Sequence, residues 1–164
     1  NIIFVAVNLY HIAVIIYEKR PVHMSPKHKE LYETMFKGMT PVEFLKITKI
    51  ADWTQFKPGE VITQQTHNVP TLNLIYNGTV DVSVDSKKVA ELKDGQFVGE
   101  MSFLTEKPAT ATCRAKHNTE CLTWEQQGFK ELLKRNPSLY FSIQSLLSAQ
   151  VSEALVSSSK HKGE

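Results

Sequence analysis

The amino-acid sequence predicts an α+β chain: a β jelly roll flanked by N- and C-terminal helices and preceded by a partial transmembrane helix. Three observations predict it. Between Trp53 and Glu125, short β-prone runs alternate with turn residues at close, regular spacing, the texture of a roll or sandwich. On either side of that region apolar residues recur at helical spacing instead. Residues 2–17 read IIFVAVNLYHIAVIIY and carry no formal charge.

Composition narrows the functional classes. With 164 residues the chain can bury one good core and carry appendages. Its 41% hydrophobic and 22% charged residues exclude general disorder. A formal net charge of +2 gives no electrostatic footprint for nucleic acid. Cys113 and Cys121 have neither zinc spacing nor a disulfide framework, and read as small apolar residues of neighbouring strands in a reducing compartment. His23 and His28 lie five apart without nearby Cys or Asp, so no metal site is assigned. No nucleophile, base and orienting group fall at a recognised spacing, so the chain is read as a non-enzyme with no catalytic residue.

The N-terminal run is shorter than the roughly 20 residues a bilayer crossing needs. Residues 1–20 are therefore read as the end of a longer membrane region, and the chain, which lacks an initiating Met, as a fragment. Lys19, Arg20, Lys27 and Lys29 follow the run, and positive charge marks the cytoplasmic side of a span. The expected localisation is a multi-pass membrane protein with a cytosolic roll. A buried core helix of a soluble protein is the alternative for the same run.

Two short helices are expected next. Pro26 suits a first turn and Gly38 a stop, with Leu31, Met35 and Phe36 on one face. Thr40-Pro41-Val42-Glu43 reads as a capped start, followed by Phe44, Leu45 and Ile47. The predicted strands are 53–56, 61–65, 72–76, 79–84, 88–92, 110–115 and 120–124, with Asn77-Gly78 as a tight hairpin. Helical texture returns at Phe129, Leu132 and Leu133 and stops at Asn136-Pro137. Ser138 is placed to cap a last helix with the stripe Leu139, Ile143, Leu146, Leu147, Val151 and Leu155, a candidate moving or homodimer-forming element. The domain is set at residues 21–156 and a flexible tail at 157–164.

The chemistry concentrates in Gly95-Gln96-Phe97-Val98-Gly99-Glu100-Met101-Ser102-Phe103-Leu104, followed by Pro108-Ala109-Thr110-Ala111-Thr112. A glycine lets backbone amides approach a ligand closely. A helix start just after it offers unsatisfied donors to an anion. A carboxylate there can accept a hydrogen bond from a sugar hydroxyl. The stretch resembles the phosphate-binding cassette of the cyclic nucleotide-binding fold, F-G-E-x-[AS]-L…P-R-[AT]-A-[ST], except that Ala109 stands at its arginine position. The segments Phe56–Ile62 and Leu74–Val80 resemble that family's first hairpin and its I-x-x-G-x-V hairpin.

A narrower resemblance is to the Popeye-domain proteins. It rests on Tyr17 to Val22, on Leu31-Tyr32-Glu33-Thr34-Met35-Phe36, and on Thr119-Glu120-Cys121 with Trp124. The Popeye cassette, Asp-Ser-Pro-Glu and Phe-Gln-Val-Thr, survives here only as Glu100 and Thr112. The resemblance implies a membrane-anchored cAMP sensor that passes ligand state to partners such as channels or trafficking proteins. The implied ligand residues are Val98, Gly99, Glu100, Met101, Ser102, Thr110, Ala111 and Thr112, with Glu100 on the ribose 2′-hydroxyl and the Met101 and Ser102 amides on the phosphate. No cofactor besides this ligand is implied. A lost arginine contact is worth roughly 1.5–3 kcal/mol, and Lys107 and Arg114 are candidate substitutes. The alternative is a ligand-free membrane scaffold that keeps the roll only for protein interaction.

Overall fold

The structure, a computed structural model, describes the backbone of residues 2–18 and 23–160, and the side chains of residues 2–12 and 23–152. Three helices come first: α1 (Ile2–Glu18), α2 (Pro26–Met35) and α3 (Pro41–Thr48). The roll follows as β1 (Ala51–Phe56), β2 (Val61–Thr63), β3 (Thr71–Asn77), β4 (Thr79–Val84), β5 (Lys87–Lys93) and β6 (Phe97–Val98). Helix α4 (Glu100–Thr105) interrupts it before β7 (Thr112–Ala115) and β8 (Thr119–Glu125). Helices α5 (Gln126–Lys134) and α6 (Pro137–Lys160) close the chain's described part.

The strands form two antiparallel four-stranded sheets, ordered β1-β8-β3-β6 and β2-β7-β4-β5. Consecutive strands β1 and β2, and likewise β3 and β4, lie in different sheets, as a jelly roll requires. Asn77-Gly78 is therefore not the hairpin its sequence suggests. It is a corner between sheets, where Gly78 passes so close to β8 that an added Cβ would lie 2.7 Å from Thr119 Cα. The Gly78 amide donates to Asp94 Oδ1 at 2.8 Å, which fixes the corner. The tight hairpin is β4–β5, turning at Asp85 and Ser86, both at positive φ (49° and 65°). Positive φ at both central positions is the requirement of a type I′ turn.

Strand β3 is buried on both faces, which explains its nearly continuous apolar run. Leu72 and Leu74 face the helices, in one core with Leu122, Trp124, Phe44, Ile47 and Phe129. Ile75 faces the roll interior with Val80, Val98, Cys113 and Cys121. Trp124 joins the layers: its Nε1–H donates to Ile47 O at 2.8 Å, and its ring stacks on Phe129 at 5.3 Å.

Thr40 with Glu43 forms the reciprocal capping box on α3 that the sequence predicts, and Ser25, which the sequence reading did not single out, caps α2. Ser138 does not cap α6. The Asn136 carbonyl accepts the first helical bond, from Tyr140 N at 2.9 Å, and the Ser138 hydroxyl donates to Glu43 Oε1 at 2.7 Å. The α6 stripe packs within this chain: Leu139, Ile143 and Leu147 are buried in the helix–sheet core. An intramolecular partner thus occupies the face expected to move or dimerise; Leu155 lies outside the described side chains.

Helix α1 has 17 residues, and its described side chains are exposed, Ile2 at 87% and Phe4 at 72%. Among the described residues no helix is long and apolar enough to cross a membrane. The basic pair Lys19-Arg20 and part of the Popeye-like segment 17–22 lie outside the described residues.

Candidate functional site

Five of the eight predicted site residues, Val98, Gly99, Glu100, Met101 and Ser102, lie at the turn from β6 into α4. Gly99 sits there at φ 93°, in the left-handed region, as the N-cap of α4. An added Cβ would lie 2.9 Å from the Thr71 carbonyl oxygen and 3.1 Å from Val69 Cγ1. Conformation and space therefore both demand glycine.

A polar chain holds the strand behind this turn. Gln126 Nε2 donates to Thr71 O (3.3 Å), Asn73 Nδ2 to Thr71 Oγ1 (3.1 Å), and Thr123 Oγ1 to Asn73 Oδ1 (2.9 Å). Asn73 is wholly buried, and pairing it costs little only because these bonds are made. Register places Asn73 opposite Val98, so the chain supports the cassette directly.

Helix α4 is short and locally closed. The Phe103 amide donates to Gly99 O at 3.0 Å, and Glu106 ends the helix at φ 59°. The Ser102 hydroxyl donates to Lys107 O at 2.6 Å, so its side chain fastens the loop after α4. The chain then pairs with the segment before β3: Thr66 N–H donates to Ala109 O (2.8 Å) and Ala109 N–H to His67 O (2.9 Å). Ala109, at the arginine position, is buried.

Strand β7 divides its residues between two faces, as period-two alternation dictates. Cys113 and Ala115 are buried, Cys113 in the roll interior opposite Val82. Thr112 and Arg114 lie on the other face. The Thr112 hydroxyl accepts the Gln65 amide at 3.1 Å, and Arg114 Nη1 donates to Gly59 O at 2.6 Å. Both line an outer groove of about 570 Å³ with Gln65, Asp81 and Ser83. Arg114 is thus no substitute for the missing arginine. Thr112 stands apart from Val98, Gly99, Glu100, Met101 and Ser102, while Thr110 and Ala111 sit at the entry to β7.

The roll interior is apolar: Phe56, Ile62, Val82 and Leu92, partly buried, pack against the cluster of Ile75, Val80, Val98, Cys113 and Cys121. Glu100 lies in the first turn of α4 and is part-buried. Burial pushes its carboxyl above the usual range, and the amides of Glu100 and Gly99 pull it only part of the way back. The Cys113 thiol is pushed up by burial and further by the Glu100 charge, so the two groups share one locale. Sequence reasoning missed the wall of Ile62, Val82, Leu92 and Cys113. The alternation of Thr112-Cys113-Arg114-Ala115 carried the signal for Cys113; nothing local marks Thr71, Asn73 or Gln126 as supports.

A glycine-forced turn and a desolvated carboxylate thus lie at one end of a two-sheet β-roll with an apolar interior. Residues 53–136, just over half of the chain, match the family model described as cyclic nucleotide-binding domain. The chain belongs to the cyclic nucleotide-binding domain family. It is 30% identical over 88 residues to a cGMP-dependent protein kinase of Plasmodium berghei, covering 54% of this chain and 10% of the kinase. It is 24% identical over 141 residues to lysophospholipase nte1 of Neurospora crassa, covering 83% of this chain and 9% of that protein. The chain therefore spans about a tenth of the length of these curated relatives. A crystal structure of a cyclic nucleotide-binding protein from Geobacter metallireducens shares the fold, with TM-score 0.71 and 22% identity over 81% of this chain and 99% of that one. These likenesses are to the family at large.

Proposed function

We propose that this chain is a regulatory, non-catalytic domain that binds a cyclic nucleotide, cAMP, in the roll beside Gly99 and Glu100. The observation that carries the reading is the turn itself. Gly99 is held in a conformation only glycine adopts freely, against the Thr71 carbonyl, and it sets Glu100, desolvated and near enough to Cys113 to act on its thiol, in the first turn of α4. In this reading Glu100 accepts from the ribose 2′-hydroxyl, and Ile62, Val82 and Leu92 contact the apolar ring faces. The Met101 and Ser102 amides, with Thr110 and Ala111, serve the phosphate end. The family match and the kinase relative support the ligand class.

Ligand state would pass to α6. Phe103 of α4 shares a core with Leu139 and Ile143, so a shift of the cassette turn moves α6 packing. Such coupling requires the ligand to bind two arrangements unequally. We extend the proposal, from the Popeye-like motifs, to attachment at a membrane through α1, with channels or trafficking proteins as partners. Calorimetry with cAMP and cGMP tests the ligand reading. Heat of binding that Glu100→Ala reduces is expected; no heat at millimolar ligand would refute it. The scaffold reading, favoured by Ala109 at the arginine position, then gains: partner capture would persist without any ligand.

A further inference from the structure

The charge inventory around Glu100 does not match a phosphodiester. Ala109 is buried where the cassette would present a guanidinium. Arg114 faces out of the roll and donates to Gly59 O at 2.6 Å. Lys107 is exposed, behind the Ser102 hydroxyl that binds its carbonyl. On the outer face, Lys88 is paired with Asp81 and Glu91, and Lys116 with Glu91. His67 is exposed, with Nδ1 on Gln65 O at 3.1 Å. Among the described residues no Lys or Arg forms an ion pair with the Glu100 carboxyl, which is desolvated and held by the Glu100 and Gly99 amides. The helix behind the turn has only six residues and adds little dipole.

An anion brought into this space loses hydration, gains no charged partner and meets the Glu100 carboxylate. A sugar hydroxyl and a purine ring bear no such cost: the carboxylate accepts the hydroxyl, and Ile62, Val82 and Leu92 contact the ring. We propose that the roll binds the uncharged nucleoside at least as tightly as the matching 3′,5′-cyclic nucleotide. This inference rests on the ligand site assigned above and refines which member of the nucleoside class it takes.

The test is calorimetry of the 164-residue chain with adenosine, guanosine, cAMP and cGMP under one set of conditions. The inference predicts that, for the purine that binds better, the ratio of cyclic-nucleotide Kd to nucleoside Kd is one or more. A ratio below one beyond error overturns it, while the cyclic nucleotide reading survives. Absence of heat from all four at millimolar concentration overturns both. Ala109→Arg supplies the missing cation and is expected to tighten cAMP about tenfold or more, with adenosine changed less than about twofold. No selective gain in a folded A109R protein also overturns the inference; if that variant does not fold, the wild-type ratio decides.

Discussion

Replacing Gln150 with Ala should loosen the C-terminal part of α6 and the β5–β6 turn together. The Gln150 side chain spans the two: Oε1 accepts the Phe97 amide at 3.1 Å, and Nε2 donates to Gly95 O at 2.7 Å. Both partners are backbone groups two residues apart, in a turn already tied to β3 by Gly95 N to Ile75 O and Ile75 N to Gln96 O. Alanine leaves one donor and one acceptor without a protein partner. At about 0.5–1.5 kcal/mol net for each bond, the loss is about 1–3 kcal/mol. Gln150 is only half-buried, so water reaches the vacated groups and the lower part, about 1–2 kcal/mol, is expected. That corresponds to roughly a 5- to 30-fold increase in local opening. Hydrogen exchange should show it as faster exchange in residues 93–98 and 146–152, with little change in β1 or β8. Gln150→Glu is the internal control. A carboxylate still accepts the Phe97 amide but cannot donate to Gly95 O, so about half of the loss should remain. Unchanged exchange in both segments, with stability altered by less than about 0.3 kcal/mol, would refute the clamp.

Three further outcomes follow from single side chains. Trp124→Phe strands the buried Ile47 carbonyl and should cost about 1–3 kcal/mol in urea unfolding; a smaller loss would show that the α3–β8 link does not depend on this bond. Gly99→Ala forces an L residue to φ 93° against the Thr71 carbonyl and should cost about 1–3 kcal/mol, with loss of nucleotide binding; a neutral variant would mean the turn is not held as described. Glu100 has a folded-state pKa above its unfolded value, so the native state holds the proton more tightly. Its contribution to stability is therefore full below the unfolded pKa of about 4.5 and is lost as pH rises through the folded value. Glu100→Gln should lack that component, gaining on the wild type as pH rises above the unfolded value; parallel stability–pH curves would contradict it.

Much of the fold was legible because the strands announce themselves by local pattern. The β4 bounds, Thr79 to Val84, coincide with the expected run, and the capping box at Thr40 and Glu43 has a mechanism readable from four residues. The failures lie where long-range placement decides. Asn-Gly suits both a tight hairpin and a corner, and only the pairing of β3 with β8 and of β4 with β7 distinguishes them. The two-residue β6 is too short to show a period, and its pairing with Asn73 and Leu74 defines it. At the site, alternation put Thr112 and Arg114 on a shared face. Which face turns to the roll interior depends on how the second sheet folds over the first. The stripe of α6 illustrates the same limit: spacing shows that Leu139, Ile143 and Leu147 need a partner, and only the tertiary fold supplies its identity.

The account rests on a ligand seated inside the roll at the β6–α4 turn, and residue-resolved amide shifts on titration test that most directly. With cAMP and adenosine as probes, the account predicts saturable shifts confined to Val98–Ser102, Ala109–Cys113 and the inward positions of β4, with smaller changes in α6. Shifts confined to the outer groove around Asp81 and Arg114, or none at millimolar probe, would contradict it.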